Sequence, residues 1–197
     1  MNSIYQIKIT LDGVKPPIWR RIVVNSDTPL EDFHKIIQTT MGWTNSHMHQ
    51  FIKGDTYYTD DGEIDDDFSL EGINREINYI DTKISDLLVK EKDDIKYEYD
   101  FGDDWEHTIL LEKIKENSVK IAHPKCLKGS RACPIEDCGG VWGYENLIKI
   151  MNNPKHPEHK EMADWIGDVF DPEEFDIDIV NEMLEEDDYG CFDMFDF

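Results

Sequence analysis

The chain has 197 residues, 39% of them hydrophobic, and a formal net charge of −24 at pH 7. That length suits one well-cored domain, and no run approaches the roughly 18 apolar residues needed to cross a bilayer. The charge opposes general binding to phosphate backbones or anionic membranes. Acids crowd residues 55–106 and 161–197, the second block without a lysine or arginine, and solvated faces account for both blocks. The opening MNSIYQIKIT lacks a basic segment followed by an apolar one, so the expected location is the cytoplasm. There the four cysteines are expected as reduced thiols or metal ligands.

In chain order, Ile4 to Leu11 alternates apolar and polar residues and reads as a strand. Asp12-Gly13 turns the chain, and Ile18 to Val24 is its expected antiparallel partner. Arg20 and Arg21 then point to opposite faces, so at least one needs a carboxylate or open water. Thr28-Pro29-Leu30-Glu31 reads as a capped helix start, with Leu30, Phe33, Ile36, Ile37 and Met41 at helical spacing and Gly42 as the stop. A third strand is expected at HMHQFIK, with TYYT close behind. The acidic stretch DDGEIDDD lacks the ligand spacing and closing Glu of an EF-hand. A short helix over 82–89 follows, then the hairpin of YEYDFGDDWEH. There Tyr97, Tyr99 and Phe101 share one face, Gly102-Asp103-Asp104 turns, and Trp105, His107, Ile109 and Leu111 return. Ser118 to Ala122 is read as a short strand, and HPKCLKGSRACPIEDCGG as a long ordered loop. Helices are expected from Tyr144, from Pro157 and from Asp171-Pro172-Glu173-Glu174. Residues 1–185 read as a single domain and 186–197 as an acidic, mobile tail. Strands first and helices late give an α+β fold, with a mixed, mainly antiparallel sheet carrying helices packed on it.

Several groups could carry chemistry. The acids Asp100, Asp103, Asp104 and Glu106 with His107 could hold a divalent ion or divide acid and base roles. The plainer reading has Asp103 and Asp104 capping the turn and Asp100 pairing with Arg20 or Arg21. Cys126, Cys133 and Cys138 could hold zinc with a histidine, although their spacing is not the paired C-x2-C knuckle; packed small hydrophobes are the alternative. A Cys–His nucleophile lacks any local mark. Gly139-Gly140-Val141-Trp142-Gly143 could present amides to an anion beside Lys125, Lys128 and Arg131, but it has no Lys-Ser/Thr of a P-loop. His47 and His49 lie two apart on a strand and could ligate a metal, or be one packed and one solvated imidazole. His34 reads as a satisfied buried histidine, and the tryptophans as core, one or two of them lining a cleft.

PPIWRRI, LEDFHKIIQTTMGW, HMHQF, YEYDFGDDWEH, CLKGSRACPIEDCGG and FDPEEFD, in that order, resemble the plasmid pRiA4b ORF-3-like family from about Ile4 to Leu184. Members usually read PPED where this chain has Pro134-Ile135-Glu136-Asp137, which keeps the acidic pair. The family is uncharacterised. The resemblance implies a single α+β domain and no reaction, cofactor or catalytic residue; some members travel with mobile elements.

The expected function is therefore a non-catalytic intracellular binding or interaction domain for an unidentified ligand or protein partner. Its cleft would lie between the hairpin tip (Asp100, Asp103, Trp105, His107, with Arg20 nearby) and the cysteine–glycine loop (Glu136, Asp137, Gly139, Gly140, Tyr144). No cofactor is assigned, with zinc on Cys126, Cys133 and Cys138 as the candidate. The alternatives are a metal-dependent hydrolase or nuclease-like enzyme using Asp100, Asp103, His107, Glu136 and Asp137, and a mobile-element accessory contacting DNA through Lys125, Lys128 and Arg131.

Overall fold

The computed structural model describes residues 3–60, 75–116, 118–167 and 170–191. Alternation produces the sheet. In β1 (Ile4–Leu11) every second residue is buried, and the same period runs through β2 (Trp19–Asn25), β6 (Asp94–Tyr99) and the first part of β7 (Trp105–Lys115). With β3 (His49–Lys53), β4 (Thr56–Thr59), β5 (Arg75–Asn78) and β8 (Lys125–Ser130) they form one sheet in the order β5-β4-β3-β6-β7-β1-β2-β8. Among these strands only β4 and β5 pair in parallel. The sheet is thus mixed and mainly antiparallel, with helices packed on it, as the element order predicts.

One face of the sheet is apolar and forms the core with α1 (Leu30–Met41). Tyr5, Ile7, Ile9, Leu11, Ile22, Phe51, Ile95 and Ile109 meet Leu30, Phe33, Ile36 and Ile37 there. The opposite face is polar and is held by cross-strand pairs, Arg21 with Glu112 at 2.6 Å and Lys96 with Asp12 at 2.5 Å. α2 (Ile84–Leu87) buries Ile84 and Leu87, while α3 (Gly140–Met151) buries Tyr144, Leu147 and Ile150. α4 (His159–Ile166) and α5 (Ile177–Met183) follow, and Leu184 is fully buried. Glu186 opens a 3-10 turn over Asp187–Gly190 that rests on α1. Here the Thr39 hydroxyl donates to the Tyr189 carbonyl at 2.8 Å, and Lys35 pairs with Asp188 at 2.7 Å. No helix of the described residues is long and apolar enough to cross a membrane.

Several local expectations are corrected. Thr28 does not cap α1: its hydroxyl donates to the Asn25 carbonyl, and Pro29 holds the cap position with no side-chain bond. The strand expected at Ser118 to Ala122 is absent, and β8 forms later, inside the stretch read as irregular. β8 is an edge strand with only Cys126 buried, so it carries no apolar alternation to read. The Asp171 to Glu174 stretch is a turn; Asp176 caps α5 by accepting from the Asp178 and Ile179 amides. The acidic stretch Asp61 to Asp67 and the tail from residue 192 lie outside the described residues.

Candidate functional site

The turn between β6 and β7 is built by aspartates. Its left-handed residues are Asp100 at φ 59° and Asp104 at φ 53°, not Gly102. Asp tolerates that region because its short side chain can bond nearby backbone. Asp100 does so, its Oδ1 accepting from the Gly102 amide at 2.9 Å and the Asp103 amide at 3.3 Å. Phe101 leaves the strand face and is half exposed in the turn.

Two other segments meet this tip. The Asp103 carboxylate accepts from the Gly139 amide at 3.0 Å, and Gly140 packs so closely that a Cβ there would lie 2.4 Å from the Asp103 carbonyl oxygen. From the segment before β3, His47 Nε2 lies 3.6 Å from Asp100 Oδ2 and 3.3 Å from Asp137 Oδ1. That nitrogen is shielded from solvent and makes no hydrogen bond to either carboxylate. Among the described residues, this is the one group of three metal-type side chains whose donor atoms all lie within 4.8 Å of one another. Glu136 is engaged beside it. It accepts from the Tyr99 hydroxyl and the Thr44 hydroxyl, both at 2.5 Å, and from the Ser46 hydroxyl at 3.3 Å. Burial first, then the bond to Glu136, raises the Tyr99 pKa.

His47 also lines a cleft of about 610 Å³ with Asn45, Ser46, Met48, Asn78 and Tyr79. Its floor is a locked polar network. Gln38 Nε2 donates to the Tyr97 hydroxyl at 2.9 Å, leaving that hydroxyl to donate to His34 Nδ1 at 2.8 Å. His34 Nε2 must then carry the proton and donate to Asn45 Oδ1 at 2.7 Å. His49 stacks on His34 with ring centroids 3.4 Å apart and bonds the Tyr79 hydroxyl at 2.7 Å. Burial pushes the His49 pKa down to about 4 and that of His34 well below its ordinary value, so both imidazoles are neutral at pH 7.

The remaining expected site residues are elsewhere. His107 is fully buried beneath Trp43, with ring centroids 5.2 Å apart, and burial lowers its pKa to about 4. It belongs to the core face of β7 and does not join the Asp100 cluster. Trp105 and Tyr144 are likewise buried. Arg20 does not pair with Asp100. Its guanidinium is buried, donates to the carbonyls of Thr40 at 2.6 Å, Trp19 at 2.9 Å and Ser130 at 3.1 Å, and lies 4.0 Å from the Phe175 ring centroid. Arg21 takes Glu112 instead. Cys126, Cys133 and Cys138 are free thiols outside the three-donor group, and burial pushes the pKa values of Cys133 and Cys138 up to about 12. The Gly139 amide is taken by Asp103, and Arg131 is buried against Glu173 at 2.7 Å, so the glycine turn offers less to an anion than its sequence implies. Of the residues that meet here, the sequence points to Asp100, Asp103, Glu136 and Asp137, and to His47 through its HMH spacing as one of two possible metal-ligating histidines; nothing in it marks Thr44, Asn45 or Ser46.

A family model described as plasmid pRiA4b ORF-3-like protein matches residues 3–179. The chain belongs to the plasmid pRiA4b ORF-3-like family. It is 35% identical over 165 residues to the uncharacterized protein y4hQ of Sinorhizobium fredii (strain NBRC 101917 / NGR234), covering 84% of this chain and 81% of that one. It is also similar to the crystal structure of MM3350, a protein of unknown function from Methanosarcina mazei Go1. That match has a TM-score of 0.77 and 33% identity, covering 90% of this chain and 97% of the other. Neither relative of this pRiA4b ORF-3-like chain carries a stated activity.

Proposed function

We propose that this pRiA4b ORF-3-like protein is a cytoplasmic, non-catalytic binding domain that holds a small polar ligand in the cleft between α1, β3 and β5. The observation that carries this reading is the cleft floor. Neutral His34 and His49, Asn45 and Tyr79 hold their polar atoms in fixed positions, within a volume typical of small-molecule sites. The free thiols of Cys126, Cys133 and Cys138 fit a reducing compartment. The net charge of −24 argues against nucleic acid as a general ligand.

A fragment screen of small polar compounds by amide chemical-shift mapping tests this reading. Expected hits move the Ser46, His47 and Asn78 amides. They vanish in Met48→Trp, where a larger side chain replaces an exposed wall residue. Hits that map outside the cleft, or that persist unchanged in the variant, overturn the reading.

The second reading, a metal-dependent hydrolase, draws on the three donors at His47, Asp100 and Asp137, for which zinc is a fitting ion. Divalent-dependent turnover of phosphoester or peptide probes, lost in Asp137→Asn, would favour it over a purely binding role.

A further inference from the structure

We propose that His47, Asp100 and Asp137 form a binding site for one first-row divalent cation, zinc above the others. The three donors come from three separate segments: the approach to β3, the hairpin turn and the loop before α3. His47 Nε2 is 3.6 Å from Asp100 Oδ2 and 3.3 Å from Asp137 Oδ1. Nitrogen and oxygen donors at about 2.0–2.1 Å from a tetrahedral zinc lie about 3.3 Å from each other, so small adjustments would place an ion among them.

The surroundings of the nitrogen point the same way. His47 Nε2 is shielded from water and makes no hydrogen bond. It is held between two carboxylate oxygens, at 3.6 and 3.3 Å, where one cation would serve all three donors. Asp100 is prepared for that role. Its Oδ1 is fixed by the Gly102 and Asp103 amides, which leaves Oδ2 facing His47. Such outer hydrogen bonds orient ligating carboxylates in known metal sites.

The donor set also selects the ion. One imidazole and two carboxylates neutralise a divalent charge and suit zinc, cobalt or manganese. Calcium asks for six to eight oxygens, and three donors with two carboxylates fall short of that. Asp137 is 74% exposed at its side chain, which gives the ion a route in and leaves a coordination position for water or a ligand. The proposal stands apart from the cleft reading, because cation binding needs no organic ligand and can be measured alone.

The test is calorimetric titration of chelator-treated full-length protein with zinc chloride, paired with cobalt chloride and its visible absorption. One equivalent is expected to bind, with a cobalt band characteristic of mixed nitrogen and oxygen donors. Asp137→Asn removes a largely exposed carboxylate, so the fold is retained and affinity falls by about a hundredfold or more; His47→Ala behaves alike. His156→Ala and Cys138→Ser leave the titration unchanged. The proposal is overturned if no equivalent binds, if binding survives both Asp137→Asn and His47→Ala, or if His156→Ala or Cys138→Ser removes it.

Discussion

The Asp103 carboxylate and the Gly139 amide, 36 positions apart in sequence, are joined by a 3.0 Å hydrogen bond that fastens the hairpin turn to the start of α3. Gly140 sits at φ 65° directly against the Asp103 carbonyl, where a Cβ has no room. Gly140→Ala combines a positive φ with a backbone clash and is expected to cost about 2 kcal/mol or more. Asp103→Ala loses one exposed, charge-assisted bond and should cost about 1 kcal/mol. Urea denaturation of the two variants, read by tryptophan fluorescence, checks both the order and the size of the effects.

Tyr97→Phe removes the hydroxyl that joins Gln38 to His34. All three side chains are buried, so the Gln38 amide and His34 Nδ1 each lose a partner that water cannot replace. A loss of about 2 kcal/mol is expected in the same denaturation experiment. The cleft floor loosens with it, seen as line broadening at the Asn45 amide.

Arg20→Lys is not a conservative change here. The guanidinium serves three carbonyls and lies over Phe175, whereas one ammonium cannot reproduce the fork or the stacking. A destabilisation of about 2 kcal/mol or more is expected, measured as a shift in thermal midpoint.

Stability should fall with acid through the buried imidazoles. His49 and His107 both have pKa values lowered from 6.5 to about 4 by burial. A group whose folded value is lowered binds its proton more readily when unfolded. The neutral state's contribution is complete above pH 6.5 and is lost as pH falls toward 4. Each such histidine adds a slope of about 1.4 kcal/mol per pH unit in that window. In His107→Met, which removes an imidazole whose Nε2 has no hydrogen-bond partner, the slope of unfolding free energy against pH should be shallower by that amount. Urea midpoints at a series of pH values measure it.

Much of the architecture was legible in the sequence because its signals are local. The two-residue period of Ile4 to Leu11 and the helical spacing of Leu30 to Met41 each announce one buried face. The same period placed Trp105 and His107 with Ile109 and Leu111, and that face proved to be the core; a histidine on it is core before it is ligand. Partner choice was not legible. Arg20 looked short of a carboxylate, but its fork is engaged by main-chain carbonyls contributed by three separate segments, which no local pattern announces. The histidine facing Asp100 is His47, whose HMH spacing allows a metal ligand but more often marks one packed and one solvated imidazole.

The three-way junction at Asp100, His47 and Gly139 also has a temporal side. The β6–β7 hairpin closes over a short span of chain, whereas the clasp from Asp103 to Gly139 must wait for β8 and the loop beyond it to find their places. Distant closures carry the larger loop entropy and come later in a typical folding sequence. In pulse-labelled refolding, the amides of Tyr97 and Ile109 should gain protection before that of Gly139. A molecule interrupted at that stage would own most of its sheet but lack the Asp137 arm of the cation site.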